Sequence, residues 1–342
     1  MPSPKEDSSR ARRTKSIACR EQGDGGKAVA YVWRMRLTLR SFAAPFAALA
    51  VSACAIGTTE DENDRFPTSS SYPPGAMERI DFTAGVAERW RISALQTPAR
   101  PEADWKIVII TGTPSWSEYW APTLAGLPAS REMIIADRPG FRTSEPEDAV
   151  RDIAKQAEAL SPMLQARPGQ RVLLVGQSFG APVATLMASR YADQVDAVVL
   201  VSAYFGDRGP TARRMFGVGR VVQGVLPRDL RNSIAEVSSQ APQLPAVWTA
   251  FQGLQQPVVF IHGDNDTFVP LEADQRIAAE FGRTLITVPG GDHFLNACCV
   301  PDLLAAFEQA IAEAEGRDPA APPAGPPAGP PTDPDPAGGP AL

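Results

Sequence analysis

A serine between two glycines is the first feature of this chain that could do chemistry. Gly176-Gln177-Ser178-Phe179-Gly180 has the spacing G-x-S-x-G. That spacing suits a tight, strained turn that projects the serine hydroxyl, with glycines where a Cβ would clash. A serine hydroxyl is a weak nucleophile alone. It needs an imidazole base, and the base needs an orienting carboxylate. The chain has only two histidines, His262 and His293. His293 lies in Gly290-Gly291-Asp292-His293-Phe294, just after an apolar run at 285–288. His262 ends the run at 258–261 and reads as a buried, hydrogen-bonded structural group. Asp264, Asp266 and Asp207 are candidate carboxylates; Asp292 sits too close to His293 in sequence to reach round its ring easily. Asp264, early in its turn, is expected to bond local backbone N–H groups as an Asx-turn.

Positioning these groups requires a scaffold, and the apolar pattern supplies one. Arg89 to Leu95 alternates polar and apolar, as a half-buried strand does. Short continuous apolar runs follow at 106–110, 133–136, 172–175, 197–201, 258–261 and 285–288. Helix-length segments at 147–166, 181–194, 271–281 and 302–315 separate or follow them. Continuous apolar strands alternating with helices predict a mostly parallel central sheet covered on both faces. Ser178 then follows a strand and opens a helix, the setting its motif needs. Residues 203–255 break the alternation and carry six arginines and no lysine. A connection that long should have its own structure. It reads as a helical cap over the carboxyl ends of the strands, where open α/β sheets place their sites. Its positive charge suits anionic substrates or anionic head groups, and suits equally an ordinary solvated helical surface.

Composition narrows the function classes. The net charge of −6 excludes a nucleic-acid binder driven by phosphate neutralisation. With 44% hydrophobic and 21% charged residues, neither a polytopic membrane protein nor a fully disordered chain fits. Cys19, Cys54, Cys298 and Cys299 form no CxxC, which argues against a zinc ribbon. Cys298 and Cys299 are adjacent, too close for an ordinary disulfide, and read as two small buried apolar residues.

With these motifs together, the chain resembles the α/β-hydrolase fold family over residues 78–316. Thr111-Gly112-Thr113-Pro114 matches the family's HG-x-P turn, with Thr111 replacing the histidine. Asp137-Arg138-Pro139-Gly140-Phe141 matches its D-x-x-G-x segment, with Arg142 where glycine is common. Gly263-Asp264-Asn265-Asp266 matches its G-x-x-D loop. The resemblance implies an α/β-hydrolase core at 78–202 and 256–316 and a nucleophile Ser178, acid Asp266 and base His293. It also implies an oxyanion hole from the backbone N–H groups of Thr113 and Phe179. No cofactor and no metal are implied. Serine at 178, not aspartate, argues against the dehalogenase and epoxide-hydrolase branches. Trp116 and Trp120 line an acyl pocket or serve packing. The expected activity is hydrolysis of a small-molecule ester-like substrate through an acyl-enzyme. Amide, thioester and C–C substrates, and a non-catalytic binding role at a membrane, stay open. The sequence does not set the oligomeric state.

The ends of the chain read differently. Residues 1–34 are polar and read as disordered, or as a mis-called extension ahead of Met35. Residues 35–53 join basic Arg36 and Arg40 to a short apolar stretch that ends at small residues, the plan of a secretory signal. Val51-Ser52-Ala53-Cys54 resembles the lipobox of bacterial lipoprotein signals. The resemblance makes Cys54 the lipid-bearing first residue of a mature chain facing the periplasm. Ala55, where aspartate would signal inner-membrane retention, favours the outer membrane. The competing reading, an uncleaved anchor, meets a stretch interrupted by Pro45 and shorter than a span wants. Loss of residues 1–53 would leave a net charge of −12. Residues 54–77 read as a flexible linker and 317–342 as a Pro/Ala/Gly-rich disordered tail.

Overall fold

The apolar runs at 106–110 and 172–175 become neighbouring central strands because their side chains can be buried on both faces. In the computed structural model, which describes residues 75–317, eight strands form one sheet. They are β1 (Glu78–Thr83), β2 (Arg91–Gln96), β3 (Trp105–Ile110) and β4 (Arg131–Ala136), then β5 (Arg171–Gln177), β6 (Ala197–Val201), β7 (Val258–Gly263) and β8 (Thr284–Val288). Their order is β1-β2-β4-β3-β5-β6-β7-β8. β1 pairs antiparallel with β2, and β2 antiparallel with β4; every other pairing is parallel. β1 goes beyond the strands read from sequence. Only Ile80 and Phe82 of Glu78–Thr83 are apolar, and both are only partly buried at the sheet's edge. Cys54, the segments 1–34 and 35–53, the linker up to residue 74 and the tail from 318 lie outside the described residues.

Helices follow the strands: α1 (Ala121–Ala125), α2 (Ile153–Leu160), α3 (Gly180–Arg190), α4 (Pro210–Val222) and α5 (Arg228–Ser239). Then come α6 (Leu244–Gln252), α7 (Leu271–Glu280), α8 (Leu295–Cys298) and α9 (Val300–Glu315). The alternation along β3 sorts the core into two layers. Val108 and Ile110 pack with Leu160 of α2, Val183 and Met187 of α3 and Phe251 of α6. Ile107 and Ile109 pack with Leu303, Phe307 and Ile311 of α9. Burying each such side chain stabilises the fold by roughly 1.5–3 kcal/mol.

Three helices occupy the long interval at 203–255, and they part company. α6 packs against α3 and places Val247 and Phe251 in the core, so it belongs to the flanking layer. α4 and α5 contribute Ala212, Met215, Phe216 and Val237 to the cavity that holds Ser178. Among the described residues no helix is long and apolar enough to cross a membrane. Cys298 and Cys299 depart from the reading of two buried, unpaired residues. They form a disulfide with each other where α8 hands over to α9, and Cys298 is exposed. Cys299 is half-buried and packs against the core layer beneath α9.

Helix and sheet approach closely at Gly180. A Cβ there would run into the carbonyl oxygens of Ile110 and Thr111. Gly217, inside α4, has nothing within 4 Å of an added Cβ. Gly180→Ala is therefore expected to destabilise by about 3 kcal/mol in urea unfolding. Gly217→Ala should be neutral or stabilise by up to about 1 kcal/mol. Equal stability of Gly180→Ala and the parent would mean that the helix can lift off β3 freely.

Candidate active site

Ser178 sits between the end of β5 and the start of α3 with a φ of 50°. For a residue with a side chain this left-handed conformation costs roughly 1–2 kcal/mol, so the surroundings must impose it. The Ser178 N–H donates to Val201 O at 2.9 Å, and Ser178 O accepts from Ala181 N–H at 3.0 Å and Tyr204 N–H at 3.1 Å. An added Cβ on Gly176 would lie 2.8 Å from both the Ala181 Cα and the Ala184 Cβ. The two glycines of the motif thus let α3 fold back onto β5 and β3 and present the hydroxyl at the strand ends.

The loop after β8 brings His293 to that hydroxyl. Its Nε2 lies 3.0 Å from Ser178 Oγ, and its Nδ1 lies 2.7 Å from Asp266 Oδ2. A carboxylate only accepts, so Nδ1 carries the proton that it donates to Asp266. In the neutral ring Nε2 is then an acceptor for the serine O–H. Phe268 stacks on the imidazole with ring centroids 5.1 Å apart, and Phe294 meets it edge-on. Asp266 Oδ1 in turn accepts from the N–H groups of Phe268 at 2.7 Å and Val269 at 2.9 Å. The structure therefore brings Ser178, His293 and Asp266 into one chain of hydrogen bonds.

The other aspartates do different things. Asp264 Oδ1 accepts from Gly290 N–H at 2.6 Å, so it ties its loop to the histidine loop. The local Asx-turn bonds expected of Asp264 are made by Asp266 instead, because the chain reverses at 266–269. Asp292 accepts from Phe294 N–H at 2.8 Å, and Asp207 pairs with Arg276 on the surface.

His262 is fully buried, as its sequence context implied, but it also touches Asp266. Its Nδ1 faces Asp274 Oδ2 at 2.7 Å. Its Nε2 faces Val269 O at 3.1 Å and Asp266 Oδ2 at 3.2 Å. Val269 O only accepts, so Nε2 carries a proton; Nδ1 shares the second proton with Asp274, whose carboxyl is pushed up by burial against the opposing bond to His262. Burial alone would lower its pKa; the bonds to Asp266 and Asp274 and their charges override this and raise it to about 9. Burial likewise pushes Asp266 up, but the bonds to His262 and His293 outweigh it and hold its carboxyl well below the usual range. The sequence hid this pairing, because Asp274 lies on the first turn of α7 and reads there as ordinary helix chemistry.

The turn after β3 passes directly over the serine. An added Cβ on Gly112 would lie 3.0 Å from Ser178 Cβ. Among the described residues, neither the Thr113 N–H nor the Phe179 N–H has an acceptor. The Thr113 hydroxyl, also buried, has no partner either. Arg138 braces this region. Its guanidinium donates to Gly112 O at 2.7 Å and lies over the rings of Phe141 and Phe179. It also forks onto Glu236 of α5 at 2.7 and 3.0 Å, both side chains being fully buried. Gln156 of α2 joins that fork, accepting from Arg138 at 2.6 Å and donating to Glu236 at 2.7 Å.

Ser178, His293, Gly112 and Thr113 open onto one cavity of about 400 Å³. Its walls are mainly apolar, with Tyr119, Tyr204, Phe216, Phe268 and Phe294 prominent. The tryptophans do not line it. Trp120 is fully buried and donates to Gln177 Oε1 at 3.2 Å, and Trp116 lies under the Arg142 guanidinium. Arg142 has a φ of 49°, which explains why a glycine is at home at that position. Among the described residues no group of three or more His, Cys, Asp or Glu side chains could hold a metal ion.

A buried imidazolium has a pH signature. The folded value of about 9 exceeds the ordinary 6.5, so its stabilisation is complete below about pH 6.5. It is lost as pH rises through 9, by on the order of 3 kcal/mol. Urea unfolding across that window should show the decline in the parent and not in His262→Gln. An unchanged slope in the variant would mean that the ring is neutral in the fold.

A model of the alpha/beta hydrolase family matches residues 107–306. Among curated proteins, the chain is similar to protein PHYLLO, chloroplastic, from Arabidopsis thaliana, at 29% identity over 106 residues. The match takes in 29% of this chain and 6% of PHYLLO, so the chain spans a small part of that relative's length. Among solved structures, it is similar to a thermophilic esterase from Thermogutta terrifontis at a TM-score of 0.56 and 16% identity. That likeness covers 69% of this chain and 99% of the esterase. A membrane phospholipase A, a bacterial virulence factor, matches at a TM-score of 0.54 and 16% identity, over 79% of this chain and 97% of that one. An epoxide hydrolase from Vigna radiata matches at a TM-score of 0.54 and 14% identity, over 71% and 99%. At such identities the shared property is the fold, and the neighbours' chemistries differ among themselves. The sheet order and a family match across more than half its length agree: the chain belongs to the alpha/beta hydrolase family.

Proposed function

We propose that this hydrolase cleaves an ester-type carbonyl through an acyl-enzyme, with Ser178 as nucleophile, His293 as base and Asp266 as orienting acid. The observation that carries this reading is the unbroken chain Ser178–His293–Asp266 at 3.0 and 2.7 Å, opening on an apolar cavity. Ser178 Oγ attacks the carbonyl carbon while His293 Nε2 takes the hydroxyl proton. The carbonyl oxygen, now an anion, lies against the acceptor-free N–H groups of Thr113 and Phe179. His293 returns the proton to the departing alcohol. A water then attacks the acyl-enzyme by the same steps and releases the acid. An ester comes first because alcohol departs more readily than amine. The mainly apolar walls favour an uncharged, medium-sized substrate.

A fluorophosphonate probe should label folded parent protein at Ser178 and leave Ser178→Ala unlabelled. No labelling of the parent would favour a binding protein over an enzyme. Asp266→Asn should lower kcat on a short-chain ester by about 10⁴-fold, through loss of the correct tautomer. Asp264→Asn should retain most turnover and lose about 1 kcal/mol of stability, through its bond to Gly290. The reverse pattern would move the acid's role to Asp264.

The same reading includes location: a lipid on Cys54, in a bacterial cell envelope and facing the periplasm. Its support is the Val51-Ser52-Ala53-Cys54 tetrad at the end of a signal-like stretch. Several acyl chains anchor a protein stably where one alone binds marginally. Mass spectrometry of the membrane form should find an N-terminal peptide that begins at acylated Cys54. An unmodified cysteine, or a start upstream of it, would overturn the anchor.

A further inference from the structure

The cap helix α4 presents two surfaces of opposite kinds. Ala212, Phe216 and Gly219 point inward and are buried. Viewed along the helix, Met215, Val218, Val221 and Val222 lie on an adjoining flank, and Val225 follows in the next turn. This spacing of three and four residues makes a stripe. Val221 and Val225 are 85% and 83% exposed, Val225 in the short 3-10 turn that follows α4. Phe294, also exposed, extends the apolar area on the histidine loop. Met215 and Phe294 line the cavity as well, so the stripe runs to the mouth of the site.

Charge on the same helix has one sign. Between 210 and 226 there are three arginines, Arg213, Arg214 and Arg220, and no acidic residue. All three are exposed, and none forms an ion pair among the described residues. The chain as a whole is acidic. A helix with an exposed aliphatic stripe, an arginine at its head, two more beside it and no carboxylate matches a surface that is apolar beneath and negative on top. A second copy of this acidic chain would meet the arginines with carboxylates but would not need the stripe.

We propose that α4 docks on a lipid surface bearing anionic head groups. The stripe from Met215 to Val225 enters the acyl boundary, and Arg213, Arg214 and Arg220 meet the phosphates. Docking in this way turns the mouth of the cavity toward the lipid. The inference stands apart from the chemistry proposed at Ser178 and from the lipid on Cys54.

The test is binding of the full chain, carrying Cys54→Ala, to vesicles of phosphatidylcholine with and without phosphatidylglycerol. Two further chains share that background, so the contribution of the N-terminal segment is common to all three. One carries Val221→Glu and Val225→Glu; the other carries Arg213→Gln, Arg214→Gln and Arg220→Gln. On anionic vesicles the glutamate pair should weaken binding at least about tenfold. The glutamine triple should weaken it by on the order of 10²-fold, since each arginine near such a surface contributes about fivefold. Unchanged circular dichroism and Tm would show that both variants fold. Equal binding by all three folded chains would overturn the proposal. So would a dimer in light scattering that the glutamate pair splits while vesicle binding stays the same, which would assign the stripe to a second copy.

Discussion

The carboxylate of Asp266 is charged and buried, and it can stay so because four donors converge on it. Two backbone N–H groups take one oxygen, and two imidazoles take the other. A buried carboxylate without such partners would take up a proton and lose its hold on His293. Each donor comes from a different constraint. The backbone pair exists because the chain turns at 266–269. His262 is placed by β7, and its own charge is held by Asp274 on α7. His293 arrives on the loop that Asp264 pins through Gly290. The orientation of one imidazole toward Ser178 therefore depends on β7, β8, α7 and two loops meeting in one register.

A second buried pair sets the opposite wall. Arg138 and Glu236 are both removed from water, and losing either would strand a charge, at a cost of about 3–5 kcal/mol. Their fork joins α5 of the cap to the loop after β4. The same guanidinium reaches Gly112 O and the Phe179 ring. The turn bearing Thr113 and the residue bearing the second free N–H are thus braced by one side chain that is itself locked to the cap. α5 is in this sense part of the core. α4 is held by less: its underside packs with three small or aromatic side chains, and Arg208 ahead of it bonds Tyr204 Oη and Val237 O.

Much of this is legible in the amino-acid sequence. The apolar runs gave the parallel strands because burial on both faces demands continuous apolar sequence. Ser178 and His293 were legible because their chemistry needs a rare residue at a strand end, and the chain has few candidates. Asp266 needed the family resemblance, since spacing alone left several aspartates open. What stayed hidden was long-range and polar. Nothing local in the sequence links His262 to Asp274, or Arg138 to Glu236 nearly a hundred positions later. β1 was missed because an edge strand with two half-buried residues carries little periodic signal. The cap's division was missed because α6 and α4 are both amphipathic, and only packing reveals which one meets α3. The cysteine pair was misread because burial was inferred from residue type, whereas Cys298 is exposed, Cys299 is half-buried and the two are joined.

These two halves of the molecule answer different physical demands. Behind Ser178 the charges of Asp266, His262, Arg138 and Glu236 are paired and buried, so folding sets the local field there. On α4 the charges are unpaired and exposed, and the apolar groups are uncovered. The chain as a whole is negative and α4 is positive. In the docking proposed above, a negative surface would orient α4 toward it and repel the rest of the chain. Salt weakens that orientation over about 10 Å and leaves the buried pairs almost untouched. The chemistry and the approach are thereby separable: one is written into paired charges that water never reaches, the other into unpaired charges that water always does.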